Sequence, residues 1–283
     1  MRRFLCMATL VMSVAAHASP ASADLVGSGI IGGTFTEGDS GVVALRTGEE
    51  VFCSGVLMAP DVVMTAAHCV AVTRNLSVLV GSGPAGEVIP VTEVHLHPTY
   101  VPATLENDIA LVRLERAVAD APRWSVISLE DSWEGKPLRI IGFGKISRED
   151  EGTPMKHTGS AVLAGLQDTR LSVAAGPSIP CFRDSGGAIL LSIEGEEFLA
   201  GIITTGSVDC TPTAMAYGTR ADVFLEGFIT PYLEATASEG GCAAHGGGQG
   251  APGGPVTLVL IGLFVLARQS RPVLAATPRP GAP

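Results

Sequence analysis

The chain has 283 residues, with 18 Lys and Arg against 28 Asp and Glu and a formal net charge of -10 at pH 7. That balance, a pI near 5.0 and the lack of any basic cluster exclude a nucleic-acid partner, because phosphate binding needs grouped Lys and Arg. Mean hydropathy is +0.37, raised by an apolar segment near each end rather than by the middle.

In chain order, residues 1–23 read as a signal peptide: Arg2 and Arg3 open it, residues 4–16 are mostly apolar, and Ala21-Ser22-Ala23 is a small-residue cleavage pattern. Residues 24–29 are expected to be a short propeptide and 30–236 the globular region. Short β-branched or alternating runs separated by turn residues predict strands over 41–46, 51–58, 76–80, 88–95, 138–143, 159–166, 188–193 and 198–204, which implies a sandwich or barrel. Residues 147–154, rich in Gly, Pro and charge, read as an exposed loop. A helix is expected over 222–235 from the spacing of Val223, Leu225, Phe228, Ile229 and Leu233, with Pro231 weakening its second half.

Cys6 falls in the signal peptide. Export would permit disulfides among Cys53, Cys69, Cys181, Cys210 and Cys242, so two bridges and one spare thiol are expected. His95, His97 and His157 lack metal-ligand spacing and read as surface or packing residues. Residues 81–87 lack the acidic ligand set of a calcium loop. No metal and no cofactor is predicted.

Three segments hold the parts of a hydrolytic serine nucleophile, which needs a base for its proton and an acceptor to fix the tautomer of that base. His68 lies in Thr65-Ala66-Ala67-His68-Cys69, Asp108 in Asn107-Asp108-Ile109-Ala110-Leu111, and Ser185 in Cys181-Phe182-Arg183-Asp184-Ser185-Gly186-Gly187. Each alone has an ordinary structural explanation; together, in the order His, Asp, Ser, they are specific.

These segments resemble the chymotrypsin-like serine proteases, the family that serves as the general template for this triad. Further matches are Ile30-Ile31-Gly32-Gly33, His97-Pro98-Thr99-Tyr100, Gly142-Phe143-Gly144 and residues 201–206. The resemblance implies an all-β fold of two packed six-stranded antiparallel β-barrels (about 30–122 and 123–236) with a short C-terminal helix, and an active site in the crevice between them. It implies Ser185 as nucleophile, His68 as general base and acid, and Asp108 as its orienting partner, with the Thr204 hydroxyl supporting the aspartate. The backbone N–H groups of Arg183 and Ser185 would form the oxyanion hole. It implies disulfides Cys53–Cys69 and Cys181–Cys210, a substrate pocket involving Ile179, Thr204 and Gly206, and a zymogen in which a freed Ile30 amine pairs with Asp184. The partners implied are a polypeptide substrate and an unidentified activating protease.

The chain departs from the family pattern at three places. Arg183 stands where the oxyanion loop normally has glycine, and a Cβ restricts the backbone there. Gly29, not Lys or Arg, precedes Ile30. Ile179 supplies an apolar pocket floor with no partner for a substrate Lys or Arg, and Gly206 is expected to leave one wall open, favouring an apolar side chain.

The tail, 237–283, combines a Gly/Pro-rich linker beginning near Gly240-Gly241-Cys242, an apolar stretch at 256–267 and Arg268 and Arg271. It resembles the cysteine-containing surface-sorting tags of myxobacteria, which implies cleavage near Cys242 and anchorage at the cell surface. As a helix, the apolar stretch would span only about 18 Å, short of a bilayer core. The expected function is a secreted or cell-surface serine endopeptidase. The alternative is a protease-fold binding module impaired by Arg183. A serine hydrolase of another fold is disfavoured by the absence of a Gly-x-Ser-x-Gly elbow.

Overall fold

The structure, a computed structural model, describes residues 30–119, 123–147, 149–150, 152–206 and 209–242, with side chains to Ser238. The expected signal peptide, propeptide and tail beyond Cys242 lie outside the described residues. Among those described, no helix is long and apolar enough to cross a membrane.

Two closed antiparallel barrels make up the fold. In the first, β2 (Val42–Thr47), β3 (Glu50–Ala59), β4 (Val62–Thr65), β5 (Leu76–Val80), β6 (Glu87–Leu96) and β7 (Ala110–Leu114) close in the order β2-β3-β4-β7-β6-β5. In the second, β8 (Pro137–Gly142), β9 (His157–Leu166), β10 (Arg170–Val173), β11 (Ala188–Ile193), β12 (Glu196–Thr205) and β13 (Ala216–Arg220) close through the β8–β9 pairing. A short first strand, β1 (Thr34–Phe35), adds to β9.

The side-chain period of two explains how the barrels pack. Along β11, Ala188 and Leu190 join the core of the first barrel, while Ile189 and Leu191 fill the second. Along β8, Leu138 and Ile140 point into the second core and Ile141 into the first. These strands are buried on both faces, so they read in the sequence as continuous apolar runs rather than alternating ones.

The N-terminal segment belongs structurally to the second barrel. Ile30 is completely buried in its core, and Ile31 exchanges backbone hydrogen bonds with Ile179 at 3.1 and 3.2 Å. Gly32, at φ +65°, makes the turn possible: a Cβ there would stand 2.0 Å from the Pro177 carbonyl oxygen.

The C-terminal helix begins as α-helix at Asp222–Phe224, widens to a π-turn over Leu225–Ile229 and continues as α-helix over Thr230–Cys242. It therefore passes through Pro231 and beyond residue 237, where the linker is expected to start. Proline has no N–H to donate and crowds the preceding turn, and the wider turn just before it relieves that conflict. The helix docks on the first barrel through aromatic packing. His95 stacks on Phe228 and Tyr232, with centroids at 5.2 and 4.9 Å, and His97 meets Phe224 and Phe228 edge-on. Burial, then the neighbouring His95, lowers the His97 pKa from its ordinary value.

Candidate active site

The β4–β7 register assembles the first half of the site. Thr65 pairs with Ala110, so the chain leaving β4 and the chain entering β7 lie side by side. His68 follows β4 on the single turn α1 (Ala67–Val70), and Asp108 precedes β7. The buried Asp108 carboxylate accepts the His68 backbone N–H at 2.8 Å and lies 2.7 Å from Nδ1. A proton held at Nδ1 leaves Nε2 as the basic nitrogen. Burial, then the Asp108 charge, raises the Tyr100 pKa.

Ser185 enters from the second barrel, three residues before β11. It lines one cleft of about 540 Å³ together with His68, Arg183 and Thr204–Gly206. The Ser185 hydroxyl donates to the Thr204 carbonyl at 3.2 Å, and His68 Nε2 lies 3.6 Å from the Cys69 sulfur. Among the described residues, Ser185 Oγ and His68 Nε2 are not hydrogen-bonded to each other. Hydrogen bonds between catalytic groups are often absent without substrate and form in the substrate complex.

Arg183 adopts φ +76°, the left-handed conformation usually left to glycine. The N–H groups of Arg183 and Ser185 have no hydrogen-bond partner among the described residues, and both residues line the cleft. Gly186, at φ +84°, is required by close approach, since a Cβ would stand 2.1 Å from the Ser54 carbonyl oxygen.

A family profile described as Trypsin matches residues 30–226. The chain belongs to the trypsin family. It is 30% identical over 212 residues to Serine protease 56 of Mus musculus, covering 65% of this chain and 35% of the mouse protein. It is 28% identical over 224 residues to Serine protease 56 of Homo sapiens, covering 70% and 37%. It is also 28% identical over 179 residues to a Trypsin of Sarcophaga bullata, covering 55% and 69%. The matched region thus spans about a third of the two Serine protease 56 relatives.

Within this trypsin-family frame the disulfides among the described residues are Cys53–Cys69 and Cys181–Cys210. Cys53, His68 and Cys69 are close enough to suggest a metal cluster, but both sulfurs are consumed by the disulfide. Thr204 does not reach the Asp108 carboxylate directly. Its hydroxyl lies 2.7 Å from that of Thr219, which donates to the Asp108 backbone carbonyl at 3.1 Å.

The pocket differs from the expected open one. A Cβ on Gly206 would stand 2.2 Å from the Pro180 carbonyl oxygen and 2.9 Å from Cys181 N, so the two walls are in contact. Ile179 does not line the cleft: it is completely buried in the second core, with its backbone paired to Ile31. The Cys181–Cys210 bridge, with Cα atoms 5.3 Å apart, ties the loop beyond Gly206 to the same wall.

Asp184 is fully buried. Its carboxylate accepts the Gly144 N–H at 2.7 Å and the Cys181 N–H at 2.8 Å, and no cation pairs with it among the described residues. Burial pushes its pKa up to about 7, against the opposing effect of those two N–H donors.

Sequence reasoning missed Ser54. It is fully buried, its N–H donates to the Ser185 carbonyl at 2.8 Å, and its hydroxyl donates to the Arg183 carbonyl at 3.0 Å while accepting the Phe143 N–H at 2.9 Å. The only sequence signal is its place beside Cys53, which is too common a pattern to single out.

Proposed function

We propose that this trypsin-family chain is a serine endopeptidase that cleaves peptide bonds through an acyl-enzyme. The observation that carries the reading is the His68–Asp108 pair facing Ser185 across one cleft, beside two unpaired backbone donors. Ser185 Oγ attacks the scissile carbonyl carbon as His68 Nε2 takes its proton. The N–H groups of Arg183 and Ser185 hold the oxyanion, and Asp108 stabilises the imidazolium. Collapse expels the amine with the proton from His68; water then repeats the sequence on the acyl-enzyme and regenerates Ser185.

Activation follows from Asp184. A carboxyl buried without a cation is costly to ionise, and a freed Ile30 ammonium would supply the partner. Cleavage after Gly29 would draw Asp184 toward the new terminus, reset the segment from Pro180 to Ser185 and part it from Gly206. The opened pocket, floored by Ile179, would take an apolar side chain rather than Lys or Arg. Export by residues 1–23 and surface retention through the tail after Cys242 complete the proposal.

The test is incubation of the chain beginning at Ile30 with a denatured protein, reading the cut sites by mass spectrometry beside a Ser185→Ala control. Cuts that depend on Ser185 and follow apolar residues support the reading. Cuts confined to Lys and Arg sites would remove the specificity claim, and absence of cuts would remove the activity.

The missing Ser185–His68 hydrogen bond and the Gly206–Pro180 contact favour a second reading, a binding module on a protease scaffold. Activity gained on Arg183→Gly in an inactive parent would establish it.

A further inference from the structure

Arg183 stands between the catalytic cleft and a second hollow. That side chain lines both the cleft and an adjoining groove of about 190 Å³ whose walls are Glu49, Glu50, Val51 and Pro154. Glu49, Val51 and Pro154 in turn line a further depression of about 440 Å³ that reaches Arg46 and Leu79. The shared residues set the three hollows side by side, from the cleft lined by Ser185 to those beside the β2–β3 turn and Pro154.

We propose that the Arg183 guanidinium, placed between the cleft and the adjoining groove, selects an acidic side chain just beyond the scissile bond of a polypeptide substrate. The inference rests on the peptidase reading, which seats the acyl side of the substrate at Thr204–Gly206 and so sends the leaving side across Arg183. The Arg183 side chain is 21% exposed, and its only ion-pair partner among the described residues is Glu50 at 4.0 Å. Glu50 is itself 69% exposed and largely solvated, so the contact is weak and open to exchange for a substrate carboxylate. Glycine at this position would present no charge. Arg183 therefore does two separate things: its N–H faces the reaction and its side chain reads the substrate.

The test uses a library of ten-residue peptides with the chain beginning at Ile30, cut sites being read by mass spectrometry, beside the Arg183→Gln and Arg183→Glu chains. Asp and Glu should be enriched about threefold to fivefold at the first two positions after the cut. Arg183→Gln should abolish that enrichment, and Arg183→Glu should replace it with Lys and Arg. Charge-neutral positions in the parent, or acid enrichment that survives Arg183→Gln, would overturn the proposal. Capture of the same peptides on the Ser185→Ala chain separates the two claims. Arg183-dependent capture of acidic peptides without any cleavage keeps the groove and removes the peptidase; neither cleavage nor capture removes both.

Discussion

The Ser54 hydroxyl donates to the carbonyl oxygen of Arg183 across 3.0 Å, so a strand of the first barrel fixes a peptide unit of the loop that carries Ser185. The same hydroxyl accepts the N–H of Phe143, and the Ser54 N–H holds the Ser185 carbonyl. One buried side chain thereby supports a non-glycine residue in a left-handed conformation.

Ser54→Ala should lower stability by about 1–3 kcal/mol, because it leaves the Phe143 N–H and the Arg183 carbonyl short of a partner in a buried place. It should also lower kcat by roughly tenfold with KM little changed. That loss is smaller than the 10²–10³ expected from deleting an oxyanion donor itself. Urea melts and peptide kinetics check both; an unchanged kcat would show that the loop holds its shape without Ser54.

Arg183→Gly should raise stability, since a left-handed non-glycine residue costs about 1–2 kcal/mol and glycine returns part of that as unfolded-state entropy. The melting temperature of the purified chain checks this. A lower value would mean that packing of the Arg183 stem outweighs the backbone strain.

Stability should depend on pH differently before and after cleavage at Gly29. In the uncleaved chain the folded pKa of Asp184 is about 7 against an ordinary 3.8, so between those values the folded form keeps a proton the unfolded form has lost. Stability from this group therefore falls as pH rises from about 4 to 7, by at most about 4 kcal/mol. An Ile30 ammonium would favour the ionised carboxylate and remove that fall. Melts of both forms at pH 4.5 and 7.5, with Asp184→Asn as reference, measure the difference; identical profiles would contradict the pairing.

Asp108→Asn should preserve the fold and reduce kcat by about 10⁴, because the amide no longer holds the His68 tautomer with its basic nitrogen toward Ser185. Retained near-ultraviolet circular dichroism with lost activity is the expected result. Retained activity would remove Asp108 from the chemistry.

The site segments were legible as local patterns, a histidine beside a cysteine and a serine before paired glycines; β-branched runs alone implied a sandwich or barrel, and the two six-stranded barrels followed from the family resemblance. The β4, β7, β10 and β13 strands were not singled out; Val62–Thr65, for one, is buried throughout and shows no alternation. The closed pocket was not legible, because the contact of Gly206 with Pro180 joins residues whose identities give no hint of their separation. Ser54 escaped for a related reason: its bonds to Arg183, Phe143 and Ser185 run to the backbone of distant residues, and backbone donors and acceptors leave no mark in a sequence.

The most direct measurement is fluorophosphonate labelling of the chain beginning at Ile30, with Ser185→Ala as control and the fold verified by circular dichroism. Stoichiometric labelling that vanishes in the Ser185→Ala chain is the result predicted for a working triad and oxyanion hole. A folded parent that takes up no label would contradict the peptidase reading.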